Sequence, residues 1–182
     1  MNELIIRALN GDQDAYILLI KEIQDEMYRI AVTQLENIDD VNDAIQETIL
    51  HSYAKLYTLK EYNHFKTWII RILINECNAI QRKRKKQLGL FKKLSHSTDI
   101  FSDSEREIQQ KENNIDFDLL IQQLNYRERL ILTLYYKNKY TPTEISYILN
   151  INVNTVKSKL LRAKKKLQQL YKEGGMNNEK QK

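Results

Sequence analysis

Asp43, Gln46 and Glu47 lie three and four residues apart, so a helix would present all three on one face. Carboxylates so placed are what acid–base catalysis or a hard cation would use. Neither chemistry has its remaining parts. His51, His64 and His96 are isolated along the chain, Cys77 is the single cysteine, and neither a glycine-rich phosphate loop nor a nucleophile motif occurs. The expectation is a protein that is not an enzyme, with no cofactor, no metal site and no small-molecule substrate. Its acidic triplet reads as a surface for another protein.

A second group carries a different chemistry. The segment NVNTVKSKLLRAKKK, Asn152 to Lys166, has six Lys or Arg and no carboxylate. Solvated helices mix signs so that residues four apart support each other, whereas this one is built to meet an anion. Immediately upstream, TPTEISYILN places Thr141 as N-cap, Pro142 at the first helical position and Glu144 three residues on, a capping box. Two short helices joined by a tight turn at Asn150–Asn152, the second strongly basic, have the form of a helix-turn-helix. On the second helix Asn154, Lys157, Ser158, Leu161 and Arg162, with Lys165, lie opposite Val156 and Leu160. Arg162 can fork onto guanine O6 and N7, Lys157 can reach a base or phosphate, and Leu161 can meet a thymine methyl. Cations that served only the negative end of the helix dipole would leave an exposed Leu161 unexplained.

A further stripe, Thr67, Arg71, Asn75, Asn78 and Arg82, runs opposite an apolar helical face and leads into the basic run Arg82–Lys86. Asn is a poor helix former, so its recurrence at mid-helix positions points to a binding role. Tyr57, Tyr62, Phe65 and Trp68 nearby could stack unpaired bases, although Trp68 itself is expected in the core.

The elements that must position these groups are helical throughout. Four glycines and one proline in 182 residues leave little turn chemistry for a many-stranded sheet. After Gly11, Asp12 caps a helix with Tyr16, Leu19, Ile20, Ile23, Met27 and Ile30 inward. A second follows NIDD, with Val41, Ala44, Ile45 and Thr48 inward and Asp40, Asp43, Gln46 and Glu47 outward. A third starts near Asn63 and buries Phe65, Trp68, Ile69, Ile72 and Leu73 before entering QRKRKKQ, too basic to pack. Between Ser95 and Asn114 stand five acidic residues and few large apolar ones, Ile100 and Phe101 among them, the composition of a flexible linker. Helical spacing resumes at Phe117, Leu120, Ile121 and Leu124, and Asn125 caps a helix containing Leu130, Ile131 and Leu134. The expected fold class is all-α: two small helical domains, residues 1–92 and 116–172, joined by a flexible acidic linker at 93–115, with a disordered tail at 173–182 and the helix-turn-helix in the C-terminal domain.

Charge divides along the chain. Residues 1–50 hold three basic against eleven acidic residues, so with a net charge of +5 overall the remainder carries +13. That split suits one surface for a basic protein and others for a polyanion. No apolar run approaches the roughly 20 residues of a membrane span and no signal-peptide pattern opens the chain, so a cytoplasmic protein without direct membrane insertion is expected.

GDQDAY, DDVNDAIQETI, FKTWIIRILINECNAIQRKRK and LNYRERLILTLYYKNKYTPTEISYILNINVNTVKSKLLRAKKKL resemble, in that order, the conserved regions of the extracytoplasmic-function sigma factors, two-domain initiation factors of bacterial RNA polymerase. The resemblance implies a sigma region 2 domain at 1–92 and a sigma region 4 domain at 116–172. It implies that Asp43, Gln46 and Glu47 grip the beta-prime clamp helices of core RNA polymerase, whose beta subunit is also a partner. Tyr62, Asn63, Arg71, Asn75, Asn78 and Arg82 would read the melted minus-ten element, with the loop Thr58–His64 holding a flipped base. Asn154, Lys157, Ser158, Leu161 and Arg162 would read the minus-thirty-five element of promoter DNA. The acidic linker would thread near the RNA exit path, an anti-sigma factor would hold the protein inactive, and the regulon would serve an envelope or stress response. Lys157 and Lys159 stand where many members carry Arg, which weakens the case for bidentate guanine reading at those two positions; Ile49 replaces a common Phe.

Two other readings compete. A one-component regulator would bind its operator unaided, usually as a dimer, yet no apolar seam in residues 1–90 serves dimerisation. An RNA-binding or architectural protein that relied on charge alone would have no use for the Asp43–Gln46–Glu47 face.

Overall fold

The computed structural model describes the backbone of residues 1–94, 120, 121 and 123–179, and the side chains of residues 1–87, 120, 121 and 123–171. Residues 93 and 94 of the expected linker belong to a helix that ends at Leu94; the rest of the linker and the Phe117 position lie outside the described residues. Among those described there is no strand.

A helix not anticipated opens the chain: α1 (Asn2–Leu9), which buries Ile5 and Ala8 against the following helix. The turn out of it needs Gly11, whose φ of +92° few side-chain-bearing residues adopt. Asp12 then caps α2 (Gln13–Gln34), accepting a hydrogen bond from the Ala15 N–H at 3.0 Å and one from Arg7 Nε at 2.9 Å. Those two contacts hold its carboxyl below the usual range. All six apolar positions spaced along α2 are buried, as their period requires. The Tyr16 hydroxyl ties α2 to the next helix, lying 2.7 Å from both the Ile49 carbonyl and the Ser52 hydroxyl.

Asn37 caps α3 (Ile38–Lys55), accepting from the Asp39 N–H at 2.7 Å, so the helix starts within NIDD rather than after it. Asp40 does not face outward as its spacing suggested. It is half-buried and paired with Arg84, because α4 (Phe65–Leu94) runs alongside α3 and brings the basic run over it. Arg84 is thus exposed but paired, and the half-buried Gln81 amide donates to the Gln34 carbonyl at 2.6 Å. Two short 3₁₀ turns, Leu56–Thr58 and Tyr62–His64, connect α3 to α4.

Helix α4 is buried on more than the expected face. Phe65, Ile69 and Leu73 are fully enclosed, but so are Ile70, Ile74 and Cys77, whereas Trp68 and Ile72 are half-buried. The C-terminal domain also packs on α4. There Asn125 and Glu128 form a capping box on α5 (Tyr126–Leu132), and a π turn follows at Thr133–Lys137. Thr141 and Glu144 cap α6 (Pro142–Leu149), the Thr141 N–H reaching the Glu144 carboxylate at 2.7 Å. Next come a left-handed Asn150 (φ 52°) and α7 (Val153–Glu179). Helix α5 packs on α7, and α6 on both α7 and α4; α2 meets α5 and the π turn. The buried side chains of the two domains therefore form one continuous cluster. The tail expected to be disordered from residue 173 is helical as far as Glu179, since no proline or cap stops α7; its last three residues lie outside the described ones.

Leu73 has no exposed surface at the centre of this packing. Leu73→Ala should lower the unfolding free energy by about 2–5 kcal/mol in denaturant titrations, a large share of a typical domain's stability. A loss below about 0.5 kcal/mol would mean that α4 is not packed as described.

Candidate nucleic-acid interface

Helix α7 presents the basic face as its spacing required. Asn152 accepts from the Asn154 N–H at 2.8 Å and starts the helix. Ser146 on α6 donates to the Ile151 carbonyl at 2.7 Å, fixing the turn between the two helices. Val156 and Ala163 are fully buried, which turns Asn154, Lys157, Ser158, Leu161 and Arg162 outward, all of them exposed. The Ser158 hydroxyl donates back to the Thr155 carbonyl at 3.0 Å, so it faces outward as an acceptor. Within the described residues neither Lys157 nor Arg162 makes an ion pair; Lys166, by contrast, is held by Glu128 at 3.0 Å. An apolar Leu161, 56% exposed between unpaired cations, can meet a groove that offers both methyl groups and phosphates.

The stripe on α4 is less open than its spacing implied. Asn75 and Arg82 are exposed, but Arg71 and Asn78 are half-buried, and Thr67 is buried with its hydroxyl donating to the His64 carbonyl at 3.0 Å. The Arg71 guanidinium lies over the Tyr147 ring of α6, 5.0 Å from its centre. Tyr62 packs half-buried against the core, while Asn63 is exposed and accepts from the Asn2 amide at 3.2 Å. Helix α1, overlooked because it is short and lacks a side-chain cap, thereby touches the turn that precedes α4. Tyr57 is 78% exposed close by.

Asp43, Gln46 and Glu47 all stand exposed on α3. His51, isolated in sequence, is not isolated in space: its Nδ1 lies 3.0 Å from Glu76 Oε1 on α4, and its Nε2 lies 3.8 Å from Glu47 Oε2. The triplet therefore sits on a helix tied by histidine to the helix that carries the Asn stripe. Among the described residues no three His, Cys, Asp or Glu side chains gather closely enough to hold a metal ion. Burial pushes the Cys77 thiol up to about 12, which makes it a packing group with no thiolate to offer near neutrality. No described helix is long and apolar enough to cross a membrane.

Both halves of this arrangement match known families. Residues 19–87 match the Sigma-70 region 2 profile and residues 115–167 the Sigma-70, region 4 profile. The chain is 29% identical to the RNA polymerase sigma factor SigV of Bacillus subtilis over 158 residues, covering 86% of this chain and 92% of that one. It is 27% identical to the ECF RNA polymerase sigma factor SigW of the same organism over 174 residues, covering 90% and 92%. Its fold is similar to that of the sigma factor RpoE of Bartonella quintana, solved with the anti-sigma factor NepR, with a TM-score of 0.71 at 22% identity over 86% of this chain and 96% of that one. A similar fold occurs in CnrH, solved with the cytosolic domain of CnrY, with a TM-score of 0.67 at 20% identity over 94% and 96%. Two sigma-70 regions in their proper order define an initiation factor for RNA polymerase. Within that class the chain belongs to the extracytoplasmic-function (ECF) sigma factors. It is an alternative sigma factor, which binds core RNA polymerase and promoter DNA.

Proposed function

We propose that three surfaces divide this work. Asp43, Gln46 and Glu47 on α3 dock on the beta-prime clamp helices. Asn75 and Arg82, with Arg71, Asn78, Tyr62 and Asn63, bind the melted minus-ten strand. Asn154, Lys157, Ser158, Leu161 and Arg162 on α7 read the minus-thirty-five element in the major groove. The observation that carries this reading is the α7 face, where Leu161 stands exposed beside Lys157 and Arg162, which make no ion pair among the described residues. Residues 93–115 connect the two promoter-binding domains along the path of the RNA exit channel. The protein acts in the cytoplasm, where polymerase and promoter are, and serves an envelope or stress response. An anti-sigma factor restrains it; two factors of similar fold were solved with partners of that kind or with a cytosolic protein domain.

On α7 the roles of the cations separate. Arg162→Ala should cost about 1–3 kcal/mol of discrimination at one upstream base pair, measured by holoenzyme binding to a panel of promoter variants. Lys164→Ala should weaken binding to all of them alike and lower the salt slope by about one unit, as a phosphate contact does. Lys166 is held by Glu128 and is less free for that role. Unchanged base preference in Arg162→Ala would misplace the reading face.

On α3 the exposed triplet adds little to folding, so Glu47→Lys should shift the unfolding free energy by no more than about 0.5 kcal/mol. The same change should weaken association with core polymerase and lower runoff transcription, since a cation would face a basic partner surface. Wild-type affinity and transcription in Asp43→Lys, Gln46→Ala and Glu47→Lys alike, with the fold intact, would contradict this assignment.

A further inference from the structure

We propose that the space between α4 and the C-terminal helices is a binding site for a nucleoside phosphate. A cavity of about 360 Å³ lies there, within the range of about 300–1,000 Å³ typical of small-molecule sites. Three of its lining side chains are cationic, Arg71 of α4, Arg127 of α5 and Lys159 of α7, and no carboxylate among the described residues lines it. None of the three makes an ion pair among the described residues. Tyrosines, not acids, hold the two guanidinium groups. Arg71 lies over the Tyr147 ring at 5.0 Å, and Arg127 donates from Nε to the Tyr126 hydroxyl at 3.2 Å. A ring neutralises no charge, and stacking covers the face of a guanidinium while leaving its N–H edge free. Three like charges converging on one cleft repel each other and focus a positive potential into it, which an anion relieves.

The rest of the lining selects the anion. Ile74, Leu130, Ile131 and Ile148, each at most 5% exposed, give the cavity an apolar wall, and Tyr126 stands half-buried beside it. Inorganic phosphate alone has nothing to place against such a wall. Asn75 and Asn78 add amides, each with two donors and an acceptor, which the alkyl chain of a fatty acid leaves unpaired. A nucleoside phosphate matches every part. The faces of its base meet the tyrosine and the aliphatic side chains, its edge meets the amides, and its phosphate meets the guanidinium forks, whose N–H geometry fits phosphate oxygens. A free nucleotide and one unit of a DNA strand share this chemistry, and the test separates them. Arg71, Asn75 and Asn78 are also assigned to the melted strand, so a nucleotide in the cavity and the single strand exclude each other. That competition rests on the proposed minus-ten surface. The site itself does not, since Tyr126, Arg127 and Leu130 belong to none of the assigned DNA faces.

The test is isothermal titration of the full-length protein with adenosine and guanosine 5′-diphosphates in magnesium-free buffer. At least one should bind saturably at one site per chain. The nucleosides alone, pyrophosphate and laurate should each bind about tenfold or more weakly, since each lacks one part of the match. Arg127→Gln should lower nucleotide affinity about tenfold and Arg127→Glu further, with helical content unchanged because the side chain is exposed. Arg162→Ala, outside the lining, should leave nucleotide affinity as it is. The bound nucleotide should also displace a fluorescein-labelled single strand of random sequence from the wild type. No saturable binding of either diphosphate, even where the single strand binds, would overturn the proposal, as would equal binding of pyrophosphate or laurate. So would loss of affinity in Arg162→Ala but not in Arg127→Glu, which would put the anion on the face of α7 instead. Binding that depends on Arg127 yet leaves the single strand in place would support the site and count against the minus-ten assignment.

Discussion

Burial of α4 is the constraint on which the rest of the molecule depends. Phe65, Ile69, Leu73 and Cys77 must be enclosed, and α2 and α3 are the helices that enclose them. Once that edge is fixed, the helical period sets where everything else on α4 points. Asn75 and Arg82 turn outward, Arg84 falls beside Asp40, and Glu76 falls beside His51. The acidic face of α3 and the polar stripe of α4 are thus held in one relation, by packing underneath and by two side-chain contacts across the top.

The C-terminal domain solves a smaller version of the same problem by different means. Its helices are short, so local chemistry does more of the work: two capping boxes, a proline at the first position of α6, and a left-handed Asn150 between α6 and α7. Those devices cost no surface and leave α7 free to expose five polar or apolar groups in a row. Val156 and Ala163, both fully buried, with Leu160 and Leu167 packed beside them, set its rotation. The result is an exposed face, proposed to read DNA, on which cations surround a leucine and Lys157 and Arg162 make no ion pair among the described residues.

Much of this was legible in the chain. The six inward positions of α2, the Thr141 and Asn125 caps and the outward face of α7 all follow from local rules, in which a residue's neighbours three and four positions away decide its environment. What was not legible depends on partners distant in sequence. Asp40 looked solvent-facing because nothing nearby announces Arg84, forty-four residues on. Ile70 and Ile74 were not among the positions read as inward, yet both are buried, and α4 packs on a helix of the other domain, α6, as well as on its own. Arg71 and Asn78 were correctly placed on one stripe, but that the stripe is partly roofed by Tyr147 could not be read from periodicity. Helix α1 was missed for a local reason: it is short, and no side chain caps its start.

The central claim is that α4 and α7 touch two different parts of one promoter. A photo-crosslinking side chain installed in place of Asn75 or Leu161 tests it directly, since both positions are exposed. In an open complex with core polymerase, the Asn75 position should crosslink to a single strand near the start site, and the Leu161 position to duplex about two helical turns upstream. Crosslinks from both positions to the same duplex segment, or crosslinking of the Asn75 position to DNA only in the absence of polymerase, would contradict it.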